Sequence, residues 1–453
     1  MRGLRWVLGG LTVLAGLLCL DFGASAEDQS GIEKLEARII QGPSVGELIA
    51  YAYRSSPSIQ MAREDWSAIV QRYRVTTAYP DPQVMISYFP EPIETRLGPQ
   101  DWNVTVTQMV PFPGKLSKAG EIVDAEARIA RLDLDRAVRE VIVKIRESYH
   151  ELLYIQEAKK VVAQNRDLLE NLRKVAESSY AQDRAAFVDV VKAQSQSAQL
   201  QYDAILLEDL EETEKSRLNS LMNRTPDAQI GTLTAEPPLP LIYDLKEIYG
   251  IAEKYQEEIQ MAEAMIDKAT AGLALARYEN LPDFKFGLFY AGIGEPDVPL
   301  RPPDAGHDAV GVQFGLSIPL WSGKNEGRVA EARAKEQRAR AMKESRINES
   351  FAQIRNLYFR LMNSQRLVKL YRDQLLPQAA ESIEIAETWF REKQGSFSDF
   401  VETESVYYNF QLSLARAKAD YGKYLAQLER LVGRSLTKRE DQTGAKVPQE
   451  GSP

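Results

Sequence analysis

From Glu121 to Thr225 the chain runs without a single glycine or proline. The run is rich in Ala, Glu, Leu, Lys and Arg, the residues that lose least on entering a helix. It returns in broken form between Arg328 and Val432, and each copy follows a short stretch of alternating apolar and polar residues. Helices this long cannot fold back into a compact ball without more breakers than the sequence holds, whereas a tall tube uses them. A helix from about Lys115 to Ser178 would rise roughly 95 Å at ~1.5 Å per residue. Apolar residues three and four apart, at Leu168, Leu172 and Val175 and again at Leu357, Leu361, Val368, Tyr371 and Leu375, predict lateral coiled-coil packing. Pro377 lies inside the second run and should kink or interrupt it.

One plan is used twice. Pro80-Asp81 recurs as Pro282-Asp283, Ile59 to Ala62 recurs as Ile259 to Ala262, and Val110-Pro111-Phe112-Pro113-Gly114-Lys115 recurs as Ile318-Pro319-Leu320-Trp321-Ser322-Gly323-Lys324. Phe187, Asp189, Leu218 and Leu221 pair with Phe397, Asp399, Leu428 and Leu431 at one constant offset, which argues for duplication. The resulting division is a first repeat over 27–228, a linker over 229–240 containing Pro237-Pro238-Leu239-Pro240, a second repeat over 241–433, and a polar, disordered tail over 434–453. Each repeat should open with one shorter helix, Val45 to Thr77 and Leu241 to Ala276. Its long helices, about 115–224 and 324–432, reverse at a polar segment around Asp183 and Arg184, or around Lys393 and Gly395. Only Gly395 is a strong breaker there, so an unbroken first helix stays open.

Four strands are expected, at about 83–90, 101–110, 283–292 and 309–319. From Val310 to Ile318 every even position is apolar, while Gly311, Gln313, Gly315 and Ser317 fill the odd ones. The alternation alone also fits a soluble two-sheet domain with one wet face. The polar positions hold Gly, Ser, Thr, Asn and Gln with few charges, as in a lipid-facing wall around a wet lumen. Four strands are too few to close a barrel, and open edges are forbidden in lipid, so copies must join their sheets; three chains would supply twelve strands. Glu91 to Gln100 and Gly294 to His307 would be the longer, exterior loops. The fold class is therefore α+β, internally duplicated, with long coiled-coil helices and a transmembrane β-barrel to which each chain gives four strands.

Arg2 and Arg5, an apolar run from Trp6 to Leu20, and Ala24-Ser25-Ala26 read as a signal peptide over 1–26. The alternative is an uncleaved anchor, for which the run is short. Cys19, the only cysteine, lies in that run with Leu18 before it, which disfavours lipidation and leaves the exported chain without a thiol. Cleavage leaves 64 acidic against 54 basic residues and no isolated basic block, so nothing favours nucleic acid. His150 and His307 lack ligand-spaced neighbours and read as structural or surface residues rather than zinc ligands. No nucleophile-base pair, phosphate loop or metal cluster appears, so the sequence points away from an enzyme and calls for no cofactor.

Taken together, the duplicated halves, the two post-strand segments and the aromatic-to-acid spacing from Tyr180 to Asp189 and from Phe390 to Asp399 resemble the TolC family of outer-membrane efflux proteins. The Pro-Phe-Pro-Gly-Lys form is similar to that of the heavy-metal branch. The resemblance implies a homotrimer in the cell outer membrane, with a twelve-stranded barrel and an all-helical tunnel in the periplasm. It also implies a periplasmic adaptor (membrane fusion) protein and an inner-membrane pump, RND-type, as partners. The chain would then be the passive exit duct of a tripartite system for small molecules or metal cations. The duct of a type I protein-secretion system is the alternative, and a periplasmic coiled-coil scaffold a more distant one. By the same resemblance Asp399 and Glu402, with Asp189 and Lys192 at the matching places, form a periplasmic constriction, and Asp183, Arg184, Lys393 and Gly395 lie where an adaptor would touch. Pro111, Phe112, Gly114 and Lys115, with Pro319, Trp321, Gly323 and Lys324, mark the strand-to-helix boundary. There the aromatics would anchor at the lipid interface and the lysines would point to headgroups.

Overall fold

The computed structural model describes residues 22–182, 186–235, 237, 239–297, 299, 302–392 and 396–437. Cys19, Asp183, Arg184, Lys393 and Gly395, the tail beyond Thr437 and most of the leader lie outside them. The elements run α1 (Phe22–Gln41), α2 (Val45–Ser55), α3 (Pro57–Thr77), β1 (Gln83–Thr95), β2 (Gly98–Val110), α4 (Lys115–Ala181) and α5 (Phe187–Leu221). There follow α6 (Leu245–Tyr255), α7 (Glu257–Tyr278), β3 (Asp283–Ile293), β4 (Ala309–Ser317), α8 (Ser322–Leu370), a π-helical turn (Tyr371–Leu375), α9 (Leu376–Arg391) and α10 (Phe397–Val432).

The chain divides into two compact units. One comprises Met61–Arg136 and Glu253–Ser350 and holds the strands; the other comprises Met1–Gln60, Ala137–Ala252 and Phe351–Pro453 and is helical. In the first unit the four strands form one antiparallel sheet in the order β1-β2-β3-β4. Val84 lies opposite Val106, Val106 opposite Leu288, and Leu288 opposite Val312, so the even positions share one face. That face is bare: Val84, Ile86, Tyr88, Leu288, Val312 and Phe314 are all more than half exposed. The other face carries Ser87, Asn103, Thr105, Gly287, Gly311 and Gln313, as the alternation foresaw, with Met85, Met109 and Phe289 as the large apolar residues among them.

Glu91 to Gln100 is not a long loop. β1 continues to Thr95 and turns back at Gly98, paired with Thr95. Pro92 lies in this stretch, but it falls where the β1–β2 register shifts, between Tyr88 and Ile93, so its missing donor interrupts no regular ladder. The expected single helices before the strands are also each two. Ser56 and Gln256 are extended (ψ 121° and 125°) and separate α2 from α3 and α6 from α7. Pro57 forces its predecessor out of the helical region in the first case; the second has no such residue. Both helix pairs open on a capping box, Ser44 with Glu47 and Asp244 with Glu247.

In the helical unit, α4 buries Ile155, Ala158, Val162, Leu169, Leu172 and Ala176, and α5 buries Val190, Ala193, Leu200 and Leu207. Asn165 and Ser197 complete two series at alternating spacings of three and four, the seam of a left-handed coiled coil. The stripe is one residue out of the expected phase: Leu169 and Ala176 are core, while Val175 is 45% exposed. Pro377 acts as expected. Without an amide hydrogen it cannot close a bond to Asp373, and the preceding turn widens so that the Leu376 amide bonds to Tyr371.

The 229–240 linker is held down, with Ile230 and Leu233 buried and the Tyr421 hydroxyl bonded to the Leu239 carbonyl at 2.8 Å. The start of the presumed tail is ordered too. Gly433 (φ 78°) turns the chain back after α10, and Leu436 is fully buried beside Ile248, Leu428 and Val432.

Candidate functional site

The strand-to-helix junctions differ between the halves. After β2, Gly114 adopts φ 95°, and a Cβ there would meet the Tyr278 ring at 2.6 Å, so the turn requires glycine. Lys115 does not point outward to headgroups. Its ammonium donates to Asp283 Oδ1 at 2.7 Å and to the Leu281 carbonyl at 2.8 Å, and its side chain is 11% exposed. The Phe112 amide donates to the same Asp283 oxygen at 2.9 Å, and the Phe112 ring stacks on Phe284. A buried lysine needs such partners, and the acid at the head of β3 supplies them.

After β4 the equivalent residues stand open. Gly323 lies inside α8 with open space around it, so its glycine is not demanded by the turn. Trp321 is 76% exposed, and Lys324 is exposed as well. The Asn325 side-chain amide donates to the Pro319 carbonyl at 3.0 Å, tying the start of α8 to the segment after β4. Trp321 is thus placed to meet something outside the chain, whereas Phe112 packs within it.

At the helix reversals, two of the three candidate constriction acids, Asp189 and Asp399, sit at the third position of a helix. The Asp399 amide donates to Ser396 Oγ at 3.1 Å, and the Ser396 amide donates to Asp399 Oδ2 at 3.4 Å, a reciprocal capping box that opens α10. At α5 the Ala186 amide donates to Asp189 Oδ2 at 3.3 Å, but alanine has no oxygen to return the bond. We expect Ala186→Ser to complete the box and stabilise the protein by about 0.5–1 kcal/mol, read as a rise in melting temperature; no rise would mean that the α5 start does not limit stability. Glu402 is exposed on α10, and the Lys192 ammonium donates to Ser398 Oγ at 2.7 Å, linking the starts of α5 and α10. Gln196, one turn further along α5, adds a second link by donating to Ser405 Oγ, two turns further along α10, at 3.0 Å.

Glu404 passed unnoticed in the sequence. It shares the inward face of α10 with Phe400, Tyr408 and Leu412, and is only 3% exposed. Its Oε1 and the Oε1 of Gln196 are buried without hydrogen-bond partners among the described residues. Burial pushes its carboxyl up to about 7. Tyr408, which donates to Asp203 at 3.4 Å, is also pushed up, first by burial and then by that carboxylate. The spacing Phe400, Glu404, Tyr408 was the available signal.

His150 is a packing residue, as its position beside Tyr149 suggested. Its ring fills the notch left by Gly422, edge-on to Tyr149, and burial lowers its pKa to about 4, with Arg146 and Lys423 adding to the effect.

Solved structures with this architecture are outer-membrane channels. The chain matches VceC of Vibrio cholerae with a TM-score of 0.71 and 19% identity, covering 86% of this chain and 96% of that one. It matches CusC at 0.73 and 12%, covering 88% and 94%, and CmeC of Campylobacter jejuni at 0.67 and 12%, covering 87% of each. The fold is therefore that of the outer-membrane channels. Residues 248–434, most of the second half, match the family model described as outer membrane efflux protein, in keeping with the resemblance read from the sequence. No curated protein sequence matches the chain.

Proposed function

We propose that the chain is one subunit of a homotrimeric channel-tunnel in the cell outer membrane, the passive exit duct of a tripartite efflux system for small molecules or metal cations. One observation carries this reading: a four-stranded sheet with an exposed apolar face, a polar opposite face and two unpaired edges. Lipid tolerates the apolar face and forbids the edges, and joining copies into a barrel removes them. The repeated order of elements supports descent by duplication, with the helices continuing the barrel as a periplasmic tunnel. The efflux-family domain favours export of small cargo over protein secretion. An adaptor protein and an RND-type inner-membrane pump are the partners this role needs, with the adaptor meeting the helix reversals.

Under threefold symmetry Asp399, Glu402 and Asp189 gather at the narrow end, diluted by Lys192, and focus cations there. Protein extracted from outer membranes and cross-linked should have the mass of three copies and conduct in planar bilayers. Asp399→Asn with Glu402→Gln, chosen to keep side-chain size, should cut cation-over-anion permeability about threefold. A stable soluble monomer would sink the channel reading; unchanged selectivity in a conducting trimer would move the two acids to the outer helical surface.

A further inference from the structure

Within the sheet of one chain the first half meets the second half where β2 pairs with β3, and there Lys115 reaches Asp283. Both charges have counterparts. Asp283 follows Pro282 ahead of β3 as Asp81 follows Pro80 ahead of β1, and Lys115 follows Gly114 as Lys324 follows Gly323. Each half thus carries the acid before its first strand and the lysine after its second. A single chain satisfies only the central pair, because Asp81 and Lys324 belong to the two opposite edges of the sheet. Both are exposed, and neither has an ion pair or hydrogen bond among the described residues.

Resting on the trimeric channel reading, we propose that this junction is repeated between copies. β4 of one subunit pairs antiparallel with β1 of the next in the register of β2 on β3, and Lys324 takes Asp81 of the partner subunit as Lys115 takes Asp283. Carried over from the Pro111/Pro319 and Asp81/Asp283 correspondences, that register sets Leu316 opposite Val84, Phe314 opposite Ile86, and Val312 opposite Tyr88. These are the counterparts of Gln108 with Phe286, Val106 with Leu288, and Val104 with Tyr290.

The apolar pattern, which was not used to derive the register, agrees with it. All six residues are large, apolar and exposed in the single chain, and the pairing puts them on one continuous face. A slip of one residue would set Gln313 and Gly315 among them and break the belt. The bare second junction fits as well. Tyr278 covers Gly114, yet nothing lies within 4 Å of Gly323 and Trp321 stands free, as expected of a surface whose cover is a second copy.

The test uses the full chain in outer membranes, with Cys19, the only cysteine, replaced by Ser. Ser87→Cys combined with Gln313→Cys places thiols at directly opposed, lumen-side positions of the proposed pairing. Oxidation should give disulfide-linked dimers and trimers, at least about tenfold more than Ser87→Cys with Gly311→Cys or with Gly315→Cys, whose Cα atoms lie beyond disulfide reach. An oligomer that forms but cross-links through a displaced pair overturns this register and leaves the channel reading standing. Absence of any oligomer by amine-directed cross-linking overturns both. For the ion pair, Lys324→Asp should lower the trimer yield several-fold, and adding Asp81→Lys should restore it; loss without rescue removes the pair from the interface.

Discussion

Replacing Gly114 by Val should break the turn within the chain and abolish assembly, whereas the same change at Gly323 should leave the fold of the single chain close to intact and act only through the contact with the next copy. Gly114 is held at φ 95°, where a β-branched residue is strained, and its new side chain would strike the Tyr278 ring. The backbone term costs about 1–2 kcal/mol and the overpacking about 1–3. Both fall on the turn that seats Lys115 on Asp283, so the loss includes the partners of a buried cation. Gly323 is helical with free space around it, and Val is no worse there than glycine by propensity. Heat-resistant oligomer in outer-membrane fractions is the measurement. Protease resistance of the chain is read beside it: equal loss of the folded chain with both changes would show that both turns need glycine within one chain, whereas loss of oligomer alone with Gly323→Val is what a junction repeated between copies predicts.

The asymmetry was invisible in the sequence, where the two post-strand segments look interchangeable. What could be read there was periodicity. The two-residue alternation from Val310 to Ile318 located β4, because one face of a strand meets apolar surroundings and the other meets water. Pro92 misled because a residue that breaks a regular ladder is tolerated where the register shifts, and a register shift shows only in the paired sheet. Lys115 misled for a similar reason: a lysine at a helix start reads as solvated until an acid 168 positions away is brought beside it. The break at Ser56 was announced by Pro57, but Gln256 makes the same break without a local signal, held by tertiary packing in which its side chain accepts a bond from Ser350.

The acids at the reversals show the limit from the other side. Spacing placed Asp189 and Asp399 at equivalent points, and the structure finds both at the third position of their helices, bonded back to the cap. A conserved-looking pair of carboxylates at a turn therefore has a local reason to exist, whatever it contributes to a lumen. Lys192 and Ser398 belong to different halves, and only folding shows that the two reversals touch through them. Heptad phase was the weakest inference. In a helix rich in Ala, Leu and Val, several apolar stripes compete, and the Leu169 phase is distinguished from the Leu168 phase only when the facing helix chooses it.

Glu404 should make the protein more stable in mild acid than in mild base through this one group, and Glu404→Gln should remove that dependence. Its carboxyl is raised from 4.5 to about 7 by burial, with no compensating cation among the causes. The folded state therefore holds the proton more tightly than the unfolded one. The stabilisation is complete below pH 4.5 and is lost as pH rises through about 7. Its span is on the order of 2–3 kcal/mol. Around it lie Phe400 and Tyr408 on α10, Gln196 and Asp203 on α5, and the Tyr408–Asp203 hydrogen bond, with the Lys192 ammonium one turn before Gln196. His150 works in the opposite direction: its pKa falls to about 4, so its contribution is present above pH 6.5 and is lost as pH drops toward 4. The raw profile mixes the two, and the difference between wild type and Glu404→Gln isolates the first. At pH 8 the variant should be more stable by about 2 kcal/mol, and near pH 4 the two should converge. Parallel melting-temperature profiles would mean that Glu404 finds water or a partner in the assembled protein. A difference that opens through neutral pH would establish a protonated carboxyl in the seam between α5 and α10, just behind the reversal that the proposed constriction occupies.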